Sequence, residues 1–226
     1  MVSSIALTLN GERVEARPGM TILDLAQENG ISIPTLCYHC ELTPTGACRL
    51  CVVEVEGSRT LVASCHTPVA PNMVIETHSP KVIRTRKMIV ELLLSSHPDF
   101  CLVCDKANVC ELRALAADLG VGIPRFRTKK RYYPIEDDNP YVIRDLSKCV
   151  LCFRCVKACQ EIKKENVYAV GYRGHSSKII VDVDAPLNKE VCRECDVCAS
   201  FCPVGAITLQ GERFKTIPKK PLIIKG

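Results

Sequence analysis

Sixteen cysteines gathered into four groups constrain this 226-residue chain more than any other feature of its sequence. Trp is absent and aromatic residues make up only 5%, so part of the stability is expected to come from a group bound to sulfur. The N-terminus lacks the pattern of a signal peptide, and no apolar run approaches the roughly 18 residues of a membrane span. We therefore expect a cytoplasmic protein with no membrane span. Because cytoplasmic thiols stay reduced, metal ligation is favoured over the alternative of disulfides.

The last two groups are runs of four cysteines with identical spacing. Gaps of two, two and three residues separate the members of each run, and Pro203 follows the second run. Bacterial ferredoxins with two 4Fe–4S clusters have this spacing, because a short loop wraps three thiolates around one cluster and the next helix carries the fourth to the other. The predicted ligand sets are Cys149, Cys152, Cys155 and Cys202 for one cluster, and Cys159, Cys192, Cys195 and Cys198 for the other. Zinc is the alternative metal, but duplicated four-cysteine runs match its paired ligand units poorly.

The first group lies in a segment with the pattern of a β-grasp ferredoxin domain. Strands are predicted at 5–9, 50–55, 59–64 and 73–77. A short helix is predicted at 21–29, where Thr21 and Asp24 form a capping box. The predicted 2Fe–2S ligands are Cys37, Cys48, Cys51 and Cys65, although ten residues separate the first two ligands and the plant-type spacing has four. Cys40 is either a spectator thiol or has a ligand or redox role, and Arg49 either donates hydrogen bonds to the cluster sulfurs or lies on the surface.

The middle group contains three cysteines and is one ligand short. A helix is predicted at 79–96, and His97 follows it in a turn, four residues before Cys101. A lone histidine usually has no metal role, but this one stands where the fourth ligand is missing. The predicted ligands of a third 4Fe–4S cluster are His97, Cys101, Cys104 and Cys110.

In this order, the four patterns resemble the N-terminal iron–sulfur region of the large subunit of NADH:ubiquinone oxidoreductase (complex I). They also resemble the small diaphorase iron–sulfur subunit of NAD-reducing and electron-bifurcating hydrogenases, and similar regions accompany NAD-linked formate dehydrogenases and iron-only hydrogenases. The resemblance covers roughly residues 1–210, and its motif of one His and three Cys beside a β-grasp ferredoxin is highly specific. It implies one 2Fe–2S and three 4Fe–4S clusters, with His97 as a ligand. It also implies a neighbouring subunit that binds a flavin (FMN) and NAD(P).

The predicted fold class is α+β, and the chain divides into five parts. These are a β-grasp 2Fe–2S ferredoxin domain at 1–78, a helical 4Fe–4S segment with one His and three Cys ligands at 79–120, a linker at 121–145, a bacterial-type two-4Fe–4S ferredoxin domain at 146–210 and a C-terminal tail at 211–226. The apolar residues 222–224 of the tail are predicted to dock on another subunit. The sequence lacks a dinucleotide-binding GxGxxG and a P-loop, and little chain follows Cys202. We therefore expect electron transfer with no substrate-converting site in this chain.

The predicted function is that of an electron-transfer subunit between a flavin/NAD(P)H subunit and a catalytic hydrogenase subunit in a hetero-oligomer. The alternatives are the same role in a formate dehydrogenase or a complex-I-like NADH dehydrogenase, a free-standing multicluster ferredoxin, and a zinc-bound structural or nucleic-acid module. The formal charge is +5, but clusters bound by thiolates would bring the total to about −2. The basic run at 125–131 is interpreted as a solvated linker or subunit contact, so no nucleic-acid partner is expected. The main path is expected to run through the His97 centre and the ferredoxin clusters, with the 2Fe–2S centre as a side branch or second inlet, but the sequence leaves their order open.

Overall fold

The N-terminal part of the chain is a five-stranded sheet covered by one helix. The computed structural model describes residues 4–187 and 192–211. The strands are β1 (Ile5–Leu9), β2 (Glu12–Ala16), β3 (Val52–Val55), β4 (Val62–Ala63) and β5 (Val74–Glu76), and helix α1 spans Ile22–Glu28. The sheet order is β2-β1-β5-β3-β4, and β1 and β5 are parallel whereas the other neighbours are antiparallel. Leu23 and Leu25 of α1 join the same buried core as Leu9 and Ile75 of the sheet.

Local sequence signals account for several of these elements. The predicted capping box is present, because the Thr21 side chain accepts from the Asp24 N–H and the Asp24 carboxylate accepts from the Thr21 N–H. Asn10 and Gly11 both have positive φ angles, 50° and 86°, as the two-residue turn between β1 and β2 requires. This turn creates β2, a strand that the sequence analysis did not predict.

Three predicted strands are shorter in the structure, and the one predicted at 73–77 loses one residue at each end. The strand predicted at 50–55 begins only at Val52, because the preceding backbone belongs to the cysteine loop, where Arg49 has a φ of 59°. The strand predicted at 59–64 is reduced to Val62–Ala63. It ends there because the N–H groups of His66 and Thr67 both bond back to the Ala63 carbonyl and turn the chain.

Helix α2 (Pro80–Ser96) connects the sheet to the rest of the molecule. Ser79 caps its N-terminus by accepting from the Val82 N–H, and Pro80 occupies the first turn, where its missing N–H costs nothing. The buried side chain of Arg86 donates to the carbonyls of Leu50 and Val52, at 3.1 and 2.8 Å, and so anchors the cysteine loop to the helix. Helix α3 (Glu111–Asp118) packs beside α2.

The C-terminal part contains two short β-ribbons and two helices. Strand β6 (Val142–Arg144) pairs with β9 (Ile207–Leu209), and β7 (Tyr168–Gly171) pairs with β8 (Lys178–Val181), both antiparallel. Helices α4 (Arg154–Glu161) and α5 (Val197–Ser200) pack against each other. Together with the N-terminal sheet, these elements confirm the α+β fold class. The strand β6 lies in the range predicted as linker, and its pairing with β9 joins it to the ferredoxin part.

The segment that leads to β6 is held against α2 by side-chain contacts. Glu91 accepts from Arg125 through the backbone N–H, Nε and Nη2, at 2.7–2.8 Å. Three residues further on, the Thr128 hydroxyl donates to the Ser95 carbonyl at 2.8 Å. No helix in the described ranges is both long enough and apolar enough to cross a membrane. The tail predicted to dock on another subunit lies outside the described residues.

Replacing Glu91 by Gln is expected to loosen this segment. Bonding to Arg125 lowers the pKa of Glu91 to about 2. The carboxylate therefore contributes stability that is present above its ordinary pKa of about 4.3 and is lost as the pH falls through about 2. Hydrogen exchange of peptides covering 123–128, followed by mass spectrometry at pH 7, should be faster in the variant. Glu28→Gln, which alters the exposed pair of Glu28 with Arg17, is the matched control. Unchanged exchange in the Glu91 variant would contradict this role.

Candidate metal centres

The four predicted ligands of the first group meet at the end of the β3–β4 ribbon. Cys51 directly precedes β3 and Cys65 follows β4, so the pairing of these strands brings their Sγ atoms to 3.4 Å. In the adjoining loop, the Cys48 N–H donates to the Cys37 Sγ, also at 3.4 Å. Cys37, Cys51 and Cys65 are buried, and Cys48 is half-buried. The structure thus brings all four predicted 2Fe–2S ligands together as two sulfur pairs.

The hydrogen bond within each sulfur pair favours a thiolate at one cysteine and raises the pKa of the other, Cys48 or Cys65. A hydrogen bond from Cys48 lowers the pKa of Cys37 to about 5, and a hydrogen bond from Cys65 lowers that of Cys51 to about 6. The thiolate is the form that binds metal. Gly46 allows the loop to close, since its φ is 62° and an added Cβ would lie 2.8 Å from the His66 ring. Cys40 and Arg49 are both exposed, which favours the spectator and surface interpretations.

The second centre is a partly open cavity that follows helix α2. All four predicted ligands line it: His97, Cys101, Cys104 and Cys110. His97 caps the C-terminus of α2, the two following cysteines flank a 3-10 turn, and Cys110 stands at the N-terminus of α3. Burial, assisted by the charges of Lys148 and Lys130, lowers the pKa of His97 to about 4. The imidazole is therefore neutral near pH 7, as a metal ligand must be.

The third and fourth centres are two cavities on either side of helix α4. One is lined by Cys149, Cys152, Cys155 and Cys202. The other is lined by Cys159, Cys192, Cys195 and Cys198. Each cavity thus contains three cysteines of one run and the last cysteine of the other run. Helix α4 produces this exchange, because it carries Cys155 to one cavity and Cys159 to the other.

The donor atoms of these centres fit iron–sulfur clusters. Cysteine thiolates, with an occasional imidazole, are the usual ligands of such clusters. Within the described residues, no group of three or more His, Cys, Asp or Glu side chains is arranged to hold a single metal ion. The thiols line cavities instead. Burial raises the pKa of Cys149 to about 11 and of Cys152 to about 12, so these sulfurs need a bound cation to become thiolates.

The cavity lined by Cys149 contacts the other three centres. From the 2Fe–2S loop, the Thr45 hydroxyl reaches the Cys152 carbonyl at 3.5 Å. From the His97 centre, the Glu111 N–H donates to the Pro203 carbonyl at 2.9 Å. Helix α4 separates this cavity from the cavity lined by Cys159, Cys192, Cys195 and Cys198. The cavity therefore occupies a central position among the four centres.

A buried arginine of helix α4 bonds to residues of helix α3 and of the 2Fe–2S loop. Arg154, 4% exposed, forms a bidentate pair with Glu111 at 2.6 and 2.9 Å and donates to the Tyr38 carbonyl at 2.8 Å. It thereby joins α4 to α3 and to the 2Fe–2S loop. Arg154 was not predicted to have a role, although its position between Cys152 and Cys155 indicates that it lies beside a metal centre.

Three known families match successive parts of the chain. Residues 3–80 match a 2Fe-2S iron-sulfur cluster binding domain. Residues 86–125 match the NADH-ubiquinone oxidoreductase-G iron-sulfur binding region, and residues 139–208 match the ferredoxin-like domain of NADH-quinone oxidoreductase subunit 3. The fold and the cysteine centres, together with these matches, define an iron–sulfur electron-transfer protein with 2Fe–2S and 4Fe–4S binding regions. The zinc alternative is thereby set aside.

Similarity over nearly the whole chain is found with many proteins, among them one solved structure and two larger proteins. A chain in the crystal structure of an NAD+-reducing [NiFe]-hydrogenase in the H2-reduced state superposes with a TM-score of 0.88, at 32% identity, over 95% of this chain and 91% of that one. The NADP-reducing hydrogenase subunit HndD of Solidesulfovibrio fructosivorans is 38% identical over 91% of this chain. The mitochondrial 78 kDa subunit of NADH-ubiquinone oxidoreductase from Neurospora crassa is 32% identical over 96%.

The chain belongs to the family of iron–sulfur subunits found in NAD(P)-reducing hydrogenases and complex-I-like oxidoreductases. It spans 36% of the length of the Solidesulfovibrio relative and 29% of the Neurospora relative. The predicted resemblance is thus confirmed.

Proposed function

We propose that the chain relays electrons between a flavin/NAD(P)H subunit and a catalytic hydrogenase subunit, through one 2Fe–2S and three 4Fe–4S clusters. The observation that carries this proposal is the sorting of twelve predicted ligands, four to each of three separate cavities. The four remaining predicted ligands meet in the N-terminal loop. When bound, such clusters accept and release single electrons.

The two sulfur pairs of the N-terminal loop suggest how a 2Fe–2S cluster would be held. Cys37 and Cys48 would bind one iron, and Cys51 and Cys65 the other. The remaining ligands are the three cavity sets, namely His97, Cys101, Cys104 and Cys110; Cys149, Cys152, Cys155 and Cys202; and Cys159, Cys192, Cys195 and Cys198. We also propose that the chain divides into the five parts, with the boundaries, that were predicted from its sequence.

The side chains around the centres have two tasks in such a relay. Apolar residues exclude water from the central cavity, whose lining includes Leu146, Phe153 and Ile207. Buried guanidinium groups supply positive charge close to the anionic thiolates, as Arg86 does beside Cys51. Contacts from the 2Fe–2S loop and from the His97 centre both reach the central cavity. This arrangement supports a relay that electrons can enter from more than one centre.

The hydrogenase is proposed over other catalytic partners because the solved structure that matches nearly the whole chain is an NAD+-reducing [NiFe]-hydrogenase. A complex-I-like oxidoreductase is the second candidate, favoured by the family matches of the middle and C-terminal regions. A formate dehydrogenase and a free-standing ferredoxin complete the alternatives. A cytoplasmic location is part of the proposal.

Anaerobic affinity purification of the tagged chain from its native cells tests the choice among these partners. We expect a flavin-containing subunit and a hydrogenase subunit to co-purify, and the complex to reduce NAD+ or NADP+ with hydrogen. Formate-dependent or quinone-dependent activity would move the assignment to one of the alternatives. A chain that purifies alone, with reducible clusters, would contradict the subunit role and favour a free-standing carrier.

A further inference from the structure

Two residues outside the predicted ligand sets lie near the cavity that is lined by Cys159, Cys192, Cys195 and Cys198. Tyr168, 3% exposed, lines that cavity, and its hydroxyl lies 3.4 Å from the Cys198 Sγ. A cysteine that binds iron is a thiolate and has no proton to give, so the Tyr168 hydroxyl must donate in this contact. A hydrogen bond to a ligand sulfur stabilises the more negative, reduced form of a cluster.

Arg144 lies directly over the Tyr168 ring. Its guanidinium carbon is 5.4 Å from the ring centroid, and the side chain is 1% exposed. The Nη2 atom donates to the Ile179 carbonyl at 2.9 Å, and Nη1 lies 3.1 Å from the Glu136 Oε2. Nε has no hydrogen-bond partner within the part of the chain that the structure describes. A buried positive charge with one carboxylate neighbour therefore adjoins the tyrosine that contacts the thiolate.

The charge of Arg144 reaches both cavities, whereas the Tyr168 hydroxyl reaches one. The Arg144 guanidinium lies over the ring of Tyr168, which lines the cavity of Cys192, and donates to the carbonyl of Ile179, which lines the cavity of Cys149. Tyr168 lines the cavity of Cys192 together with Lys163 and Glu165. The lining of the other cavity consists, besides its cysteines, of apolar residues: Leu146, Val150, Phe153, Ile179, Pro203, Val204, Ala206 and Ile207. The two cavities are alike in their ligands and differ in their polar neighbours.

We propose that Tyr168 is a positioning residue that raises the reduction potential of the centre formed by Cys159, Cys192, Cys195 and Cys198 and leaves the potential of the Cys149 centre unchanged. Arg144 raises the potential of both. This inference rests on the proposed function, because it requires a cluster at each ligand set. The step is a one-electron reduction, with dithionite as the electron donor in the test, and Tyr168 keeps its proton.

An EPR-monitored redox titration of the anaerobically purified full-length chain tests this role. In Tyr168→Phe, the equilibrium constant for reducing one of the two ferredoxin clusters should fall about tenfold, which is 59 mV for a one-electron couple. The other cluster should not shift. Tyr172→Phe is the matched control, since the Tyr172 hydroxyl is exposed and bonds Asp184. Full iron content with both potentials unchanged in Tyr168→Phe would overturn the proposal.

A second variant should shift the reduction potentials in the opposite direction, and the residue it replaces lines neither cavity. Glu136→Gln removes the negative charge that faces Arg144 and keeps the backbone hydrogen bonds of both residues, at 2.9 Å. Both ferredoxin potentials should rise. A side chain that only tunes a potential is not needed for cluster assembly, so a Tyr168→Phe chain that lacks iron also rejects the role of Tyr168. In Glu136→Gln, potentials that fall or stay unchanged reject the role of Arg144. An iron-free wild-type chain would instead reject the proposed function, so the two failures are distinguishable.

Discussion

Replacing Cys198 and Cys202 together by Ala is expected to remove two clusters, whereas replacing Cys149 and Cys202 together removes one. Cys198 and Cys202 belong to the same run of the sequence but line different cavities. Cys149 and Cys202 are far apart in the sequence but line the same cavity. Each cluster needs its full ligand set, so the first variant should lose about eight iron atoms per chain and the second about four. Iron and sulfide analysis with EPR of the reduced proteins measures both losses.

The reverse pattern would contradict the exchange of ligands between the runs. In that case the Cys198 and Cys202 variant would lose about four iron atoms and the Cys149 and Cys202 variant about eight. Cys40→Ala is the matched control for thiol removal, because Cys40 is exposed and lies outside all four ligand sets. It should keep the full iron content and the wild-type spectra.

Replacing His97 by Cys is expected to lower the midpoint potential of its cluster, provided that the cluster assembles. The imidazole is a neutral ligand, whereas a thiolate adds one negative charge that opposes reduction. Iron–sulfur centres with imidazole ligands have higher potentials than all-cysteine centres, so the shift should be on the order of 100 mV. An EPR-monitored titration of the full-length chain measures it.

The same substitution at a remote histidine separates this effect from a new surface thiol. His175 is exposed in a 3-10 turn away from the described cavities. His175→Cys should leave every potential unchanged. A His97→Cys protein whose cluster keeps or raises its midpoint would show that His97 is not the fourth ligand.

Much of this architecture could be predicted because local chemistry determines it. The capping box of Thr21 and Asp24 requires a helix start, and the repeated cysteine gaps require a loop followed by a helix. The exchange of Cys159 and Cys202 between cavities follows from the same gaps. The β-grasp domain was recognisable from its strands, although their ends depend on turns such as the one after Ala63.

The residues that escaped prediction act through contacts that are distant in the sequence. Arg154 reaches Tyr38, 116 residues away, and Glu111, 43 residues away. Tyr168 stands in a short strand with no local motif and contacts Cys198, 30 residues further on. No spacing rule links such pairs, because they come together only when distant parts of the chain pack against one another. Sequence patterns therefore predicted the ligands but not the side chains that surround them.

The central claim, that sixteen side chains hold one 2Fe–2S and three 4Fe–4S clusters, is tested most directly by counting iron. The anaerobically purified chain should contain about 14 iron and about 14 sulfide ions. Mössbauer spectra should assign about one-seventh of the iron to a 2Fe–2S centre. A folded chain that is colourless and iron-free, or that holds stoichiometric zinc instead, would contradict the account.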